Sequence, residues 1–337
     1  MAELIIVFRE VFEASLIIGI LYTYLKQTNN KVALKYMWKG VLYALIASIL
    51  GSILFQLVAG GFHGKAEKVF EGIVMIIAAL TLGSMIIWMA KNQNIAAELK
   101  EKAEDSLNNE SLGKGILWLA FISVFREGIE TILFLYGIIV KEGSLNIALS
   151  LIGALMGIAI GYLIFIQGRK IPVKTFFNVS SVLLIFVASG MFTYGVHEFE
   201  SAGLIPYFSG EVEYREDSVI ATRLNGDSKS FELDKDNKAK KWSSRIWDIN
   251  PKVINHLQYK SKNDCVYNWK NDKCIEYPLL HDKGSIGGFM KGFFGYNGDP
   301  SLIEFIAWLF SLVLLLYMYI KIKNNLINSA QQLKSND

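Results

Sequence analysis

The sequence predicts an all-α polytopic membrane protein. Seven transmembrane helices form two inverted three-helix repeats and one C-terminal helix, with a small extracytoplasmic insertion. Three observations carry this prediction: seven apolar runs, a charged motif that occurs twice, and basic residues that concentrate in alternate loops. The composition excludes an ordinary soluble domain, because 52% of the 337 residues are hydrophobic and only 19% are charged, against about 25% charged in soluble domains.

Each apolar run has the length of a membrane-spanning helix, since about 20 apolar residues cross a hydrocarbon layer of about 30 Å. We expect no cleavable signal peptide, because the first run lacks a basic leader and contains three charged residues. The spans are predicted at about 4–25, 40–59, 69–90, 116–140, 145–167, 176–198 and 302–320. They divide the chain into a first repeat (1–115), a second repeat (116–198), an insertion (199–300) and a seventh span with its tail (301–337).

Lysine and arginine predict the orientation, since cytoplasmic loops are enriched in both. The N-terminus and residues 199–300 are therefore expected outside and the C-terminus in the cytoplasm. We expect a multi-pass protein of the plasma membrane, a bacterial inner membrane in particular. The short outer loops carry fewer basic residues, mainly Lys65, Lys68 and Lys141. The inner loops and tail carry more: Lys26, Lys31, Lys35, Lys39, Lys91, Lys100, Lys102, Lys114, Arg169, Lys170, Lys174, Lys321 and Lys323.

An Arg-Glu-x-x-Glu motif opens each set of three spans. The first copy begins at Arg9 and the second at Arg126, 117 residues later. Three is an odd number of crossings, so the second set must cross the membrane in the opposite sense to the first. Inverted repeats with a site at their interface near the midplane are a recurrent transporter architecture.

The motif side chains are expected to face the protein interior. At about 100° per residue, the Arg and both Glu of each motif fall on one face of a helix. Each charge at bilayer depth costs about 2.5–3.5 kcal/mol, so these groups should face one another and not lipid. One Arg neutralises one carboxylate per motif, and the excess negative charge is relieved by protonation or by a hard cation. The competing interpretation is a pair of Arg–Glu clusters that only fix helix packing.

These two motifs, with a seventh span, resemble the high-affinity iron permeases, the fungal ferric and bacterial iron uptake permeases among them. The stretch from Gly292 to Asn297 and the Pro300-Ser301 pair support the resemblance. It implies iron, as Fe2+ or Fe3+, as the transported substrate and no permanently bound cofactor. It also implies the iron ligands Glu10, Glu13, Glu127 and Glu130, with Arg9 and Arg126 balancing their charge.

Further polar residues lie at the outer ends of predicted spans. Glu67 and Glu71 begin the third span, and His197 and Glu198 end the sixth. The resemblance makes acidic residues here candidates for the path by which iron reaches the motifs. The competing interpretation is that they are interfacial side chains that extend to water.

The insertion differs in character from the spans, since it is polar and of mixed charge. Alternation from Glu211 to Leu233 around Asn225-Gly226 predicts a hairpin. Cys265 and Cys274 are the only cysteines and, outside a cell, are expected to form a disulfide. A soft-metal thiolate pair is the alternative. The insertion is also a candidate surface for an extracytoplasmic iron-binding protein or an oxidase.

Other functional classes fit less well. A membrane redox protein would need haem ligands within the spans, but only one histidine touches a span, at its end. The chain is therefore expected not to be an enzyme. The net charge of +3 is too small and dispersed for a nucleic-acid partner. The expected partners are therefore membrane lipid and iron ions. A transporter of another hard or borderline divalent metal, such as manganese or lead, stays open, since carboxylates bind these ions too.

Overall fold

The computed structural model of the chain describes residues 2–91, 95–109, 113–142, 144–165, 173–208, 210–247, 249, 252–254, 268–270, 273–276, 278–281 and 284–336. The chain forms two compact units. The first comprises Met1–Ile185 with Leu315–Asp337, and the second comprises Phe186–Leu314.

Long helices account for most of the described chain. Each predicted span lies in one of them, except at the ends of the fifth span, where residues 145 and 146 precede the helix and residues 166 and 167 lie outside the described residues. The helices are α1 (Ala2–Gln27), α2 (Lys31–Ala59), α3 (Lys65–Lys91), α4 (Ile95–Asn109), α5 (Lys114–Glu142), α6 (Ile147–Phe165), α7 (Val173–Ser201), α8 (Asp236–Ser243), α9 (Ser285–Phe294) and α10 (Leu302–Asn336).

Five helices of the described chain are long and apolar enough to cross a membrane, namely α2, α3, α6, α7 and α10. Helices α1 and α5 have the required length, with 26 and 29 residues, but each carries the three charges of one motif. The chain is therefore an all-α membrane protein outside its insertion.

In the first unit, α1 packs along α6 with little separation between the backbones. Glycines on α6 permit this approach. A Cβ added at Gly153 would lie under 3.0 Å from the Leu4 carbonyl oxygen, and one at Gly157 would lie 2.9 Å from the Phe8 carbonyl oxygen. Small residues have this role at many membrane helix interfaces. Residues later in α6 contact residues later in α1, so the two helices run parallel.

Helices α2 and α5 form the equivalent pair. A Cβ at Gly40 of α2 would clash with the Leu117 carbonyl oxygen of α5, and one at Gly128 of α5 would clash with the Ser48 hydroxyl of α2. These contacts also advance in the same direction, so α2 and α5 are parallel. Helices α1 and α5 contact each other as well. Each motif helix thus packs against the second helix of the other set.

Helix α4 follows the third predicted span and is amphipathic. Leu99 and Ala103 are buried, while Lys100 and Glu101 are exposed. Ala103 belongs to an apolar cluster with Leu21 of α1 and other residues of α2 and α5. The hydropathy of the sequence did not predict this helix, because its apolar stripe is too narrow to resemble a span.

The second unit contains two small antiparallel sheets. Strands β1 (Val212–Tyr214), β2 (Val219–Thr222) and β3 (Ser228–Phe231) pair in that order, and β4 (Lys252–Ile254), β5 (Asn268–Lys270) and β6 (Lys273–Glu276) pair in the order β4-β6-β5. The predicted hairpin is confirmed between β2 and β3. Its turn places Gly226 at φ +88°, where a residue without Cβ is favoured.

One member of the predicted disulfide, Cys265, lies outside the described residues. Cys274 lies in β6, next to the hairpin partner β5. The disulfide therefore stays a prediction.

Candidate functional site

Five of the six motif side chains are buried together in the first unit. Arg9 is fully buried and the four glutamates expose between 2% and 8% of their surface. The expectation that the motifs face the interior is met by these five residues: Arg9, Glu10, Glu13, Glu127 and Glu130. Helices α1 and α5 supply them from facing sides of one contact.

Arg9 joins both carboxylates of its own motif. Its Nη1 lies 3.2 Å from Glu10 Oε1, and its Nε lies 2.9 Å from Glu13 Oε1. Its Nη2 donates to the Met89 sulfur of α3 at 3.0 Å. The guanidinium is thus held on three sides and is shared between two acids.

Arg126 occupies a different environment, although the two motifs have the same pattern. Its side chain is 48% exposed, and its Nε donates to Glu130 Oε1 at 2.9 Å. The guanidinium carbon lies 5.6 Å from the centre of the Trp88 ring on α3. The sequence repeat gave no sign of this asymmetry, and the two arginines also contact different residues of α3, Met89 and Trp88.

The glutamates form a site that can bind a cation. Oxygen atoms of Glu10, Glu127 and Glu130 lie within 4.8 Å of one another. One buried oxygen of each of these three residues has no hydrogen-bond partner in the described chain, whereas the buried Oε1 of Glu13 is paired with Arg9. Buried polar atoms are normally paired, so these three oxygens are available for a ligand. Hard cations are bound by such carboxylate sets.

The polar residues predicted at the outer ends of spans lie in different settings. Glu71 accepts from Lys68 Nζ at 3.0 Å, and Glu67 is partly buried in the first turn of α3. In the second unit, Glu198 is buried, and His197 Nδ1 lies 2.8 Å from Glu304 Oε1. None of these four belongs to the three-glutamate group, and their role on an access path stays a prediction.

The second unit also contains a cluster that the sequence analysis missed. His197, Glu200 and Glu304 each offer a ligand atom within 4.8 Å of the others. Two signals were present in the sequence. His197 and Glu200 are three residues apart, which places them on one helix face, and Glu304 is an acid at the start of an apolar span.

Comparison with known proteins agrees with this geometry. Residues 1–223 match the Iron permease FTR1 family. An uncharacterized protein of Archaeoglobus fulgidus is 28% identical over 92% of this chain and 90% of its own length. The ferrous iron permease EfeU of Escherichia coli O6:K15:H31 is 30% identical over 65% of this chain and 80% of its own. The ferrous iron permease EfeU of Yersinia pestis is 29% identical over 65% of this chain and 78% of its own length.

No solved structure matches the chain. The matched region contains both motif helices and ends in the β2–β3 hairpin, and most of the insertion lies beyond it. The chain belongs to the Iron permease FTR1 family and is a membrane transporter and not an enzyme.

Proposed function

We propose that the protein carries Fe2+ across the cytoplasmic membrane into the cell, and that the ion passes between the two Arg-Glu-x-x-Glu motifs. One observation carries the proposal: four buried glutamates meet at one contact, and three of them, Glu10, Glu127 and Glu130, retain an oxygen without a hydrogen-bond partner in the described chain. The relatives named as ferrous iron permeases support iron as the substrate.

The charge of the site suits a divalent ion. Four carboxylates and two guanidiniums leave a formal charge of −2 when all are ionised. A divalent cation neutralises this charge, and a trivalent ion would leave an excess of +1. Since isolated charge is costly at bilayer depth, the neutral complex is favoured.

The ligand set also suits transit. A transported ion must bind well enough to enter the site and weakly enough to leave it. Glu10, Glu13 and Glu130 each lie beside an arginine. The arginine can therefore replace the ion as the partner of the carboxylate when the ion departs. Glu127 lacks such an ion pair within the described chain, and we propose that it contributes most to binding the ion.

The helix packing supports an inverted-repeat architecture. Helix α1 is parallel to α6 and α2 is parallel to α5. Only Thr28, Asn29 and Asn30 separate α1 from α2, and so short a connection joins antiparallel neighbours. Helices α1 and α5 are then antiparallel to each other, as two oppositely inserted repeats require. We propose α1–α3 and α5–α7 as the repeats, with α10 as the seventh span.

In this arrangement the N-terminus lies outside, and the C-terminus lies in the cytoplasm. Relative movement of the repeats would open the motif site to each side in turn. Residues 199–300 would face the outside, where an extracytoplasmic iron-binding protein or oxidase is proposed to deliver iron.

Uptake of radioactive iron by cells that lack their own iron transporters tests the proposal. Glu127→Gln keeps the side-chain volume and removes one charge, so we expect at least a tenfold loss of Fe2+ uptake. Glu101→Gln, on the exposed face of α4, is the matched control and should transport normally at equal membrane abundance. Normal uptake by the Glu127 variant would contradict the proposed path. An excess of Mn2+ or Pb2+ that abolished uptake would indicate a less selective carrier.

A further inference from the structure

We propose that the second unit contains a separate binding site for a divalent first-row transition-metal ion, with His197, Glu200 and Glu304 as its ligands. The three side chains converge from α7 and from the first turn of α10. Each offers a donor atom within 4.8 Å of the other two, a spacing that one ion can bridge.

The cluster is buried but remains open on one side. Glu200 and Glu304 expose 1% and 0% of their surface, while the His197 side chain exposes 22%. An ion could therefore arrive past the imidazole and be held between two acids that water does not reach. His197 and Glu200 are three residues apart on α7, which places both on the same helix face.

Glu200 is the observation that points to a ligand. Both of its carboxylate oxygens are buried and poorly satisfied, because neither accepts a hydrogen bond of ordinary geometry from the described residues and only the Ser301 hydroxyl interacts with the carboxylate as a donor. A buried carboxylate with so little hydrogen bonding is costly. A cation between Glu200 and Glu304 would remove that cost, and it would also separate two acids that otherwise repel each other.

The surrounding residues hold Glu304 in position. Its Oε1 lies 3.0 Å from Arg245 Nη1, and its Oε2 accepts from Asn297 Nδ2 at 2.7 Å. Its backbone N–H donates to the Ser301 hydroxyl at 3.2 Å, which caps the first turn of α10. A ligand that is fixed by neighbouring hydrogen bonds is oriented before the metal binds.

The donor set indicates the kind of ion. An imidazole binds a metal ion in its neutral form, and two carboxylates with one guanidinium then leave one negative charge for the cation to neutralise. One nitrogen and two oxygen donors suit Fe2+, Mn2+ or Zn2+, whereas Mg2+ and Ca2+ prefer oxygen alone. The motif site of the first unit offers only carboxylate oxygens, which makes nitrogen coordination a signature of the second site.

Pulsed electron paramagnetic resonance of the purified full-length protein loaded with Mn2+ tests this inference. An imidazole bound to Mn2+ produces nitrogen modulation that carboxylates do not. We expect this modulation in the unaltered protein, and its loss in His197→Gln. His63→Gln, which changes an exposed histidine, should retain it.

Glu200→Gln provides a second variant, since it keeps the side-chain volume and the His197–Glu304 contact. We expect at least a tenfold weaker Mn2+ affinity for the nitrogen-coupled site, whereas Glu211→Gln, at an exposed position, should be unchanged. Absence of nitrogen modulation in the unaltered protein at saturating Mn2+ would overturn the proposal. Persistence of the modulation in His197→Gln, or unchanged affinity in Glu200→Gln, would do the same. The result is independent of whether the motif site carries iron.

Discussion

Removal of Arg9 should destabilise the protein far more than removal of Arg126, although the two residues occupy equivalent positions in the repeated motif. Arg9 is fully buried between Glu10 and Glu13. Arg9→Gln leaves both acids without their cation, and loss of one partner of a buried ion pair costs about 3–5 kcal/mol. The loss should be at the upper end of that range, because two carboxylates are affected.

Arg126→Gln should lower the free energy of unfolding much less. Its side chain is about half exposed, with one carboxylate partner and the Trp88 ring at 5.6 Å. An exposed ion pair contributes about 0.2–1 kcal/mol, and a ring contact of this kind contributes about 0.5–1 kcal/mol. We therefore expect a cost of about 1–2 kcal/mol and a difference of at least about 2 kcal/mol between the two variants.

The assay is the free energy of unfolding in mixed micelles, measured by titration with SDS and followed by tryptophan fluorescence. Arg9→Lys should be intermediate, because an ammonium group keeps the charge but lacks the planar fork that reaches two acids. Glu101→Gln, at an exposed position of α4, is the control and should have the same free energy of unfolding as the unaltered protein. Equal costs for the two arginine variants, or a larger cost for Arg126→Gln, would refute the asymmetry.

Two further predictions concern helix packing and topology. Gly153→Ala should destabilise the protein by about 1–3 kcal/mol, because its Cβ would overlap the Leu4 carbonyl. At Gly51 an added Cβ would lie 3.9 Å from the nearest side-chain atom, on Ile132. Gly51→Ala should therefore leave the free energy of unfolding unchanged in the same SDS titration. In a variant without native cysteines, a membrane-impermeant maleimide should label Ser230→Cys, at an exposed position of β3, in intact cells but should not label Lys102→Cys. The reverse labelling would contradict the proposed orientation.

Much of the fold follows from local sequence properties. Hydropathy is summed over about 20 residues, so the position of each long helix could be predicted without knowledge of its neighbours. The hairpin at Asn225-Gly226 was equally predictable, since its turn requires a residue that tolerates positive φ. The common face of the motif side chains followed from helix geometry alone.

Features that depend on distant residues were not predictable. Arg9 and Arg126 differ in burial and contact different residues of a third helix, Met89 and Trp88. The cluster around Glu200 joins residues about one hundred positions apart, and no periodicity links them. Helix α4 was missed because its few buried side chains find their partners on other helices.

Fe2+ flux into liposomes that contain only the purified protein tests the central claim most directly. A trapped iron-sensitive dye should report rapid entry of Fe2+ for the unaltered chain, and at least tenfold slower entry for Glu127→Gln. Arg9→Gln is unsuitable for this comparison because of its expected instability. Equal flux for the unaltered chain and the Glu127 variant would contradict passage of iron between the two motifs.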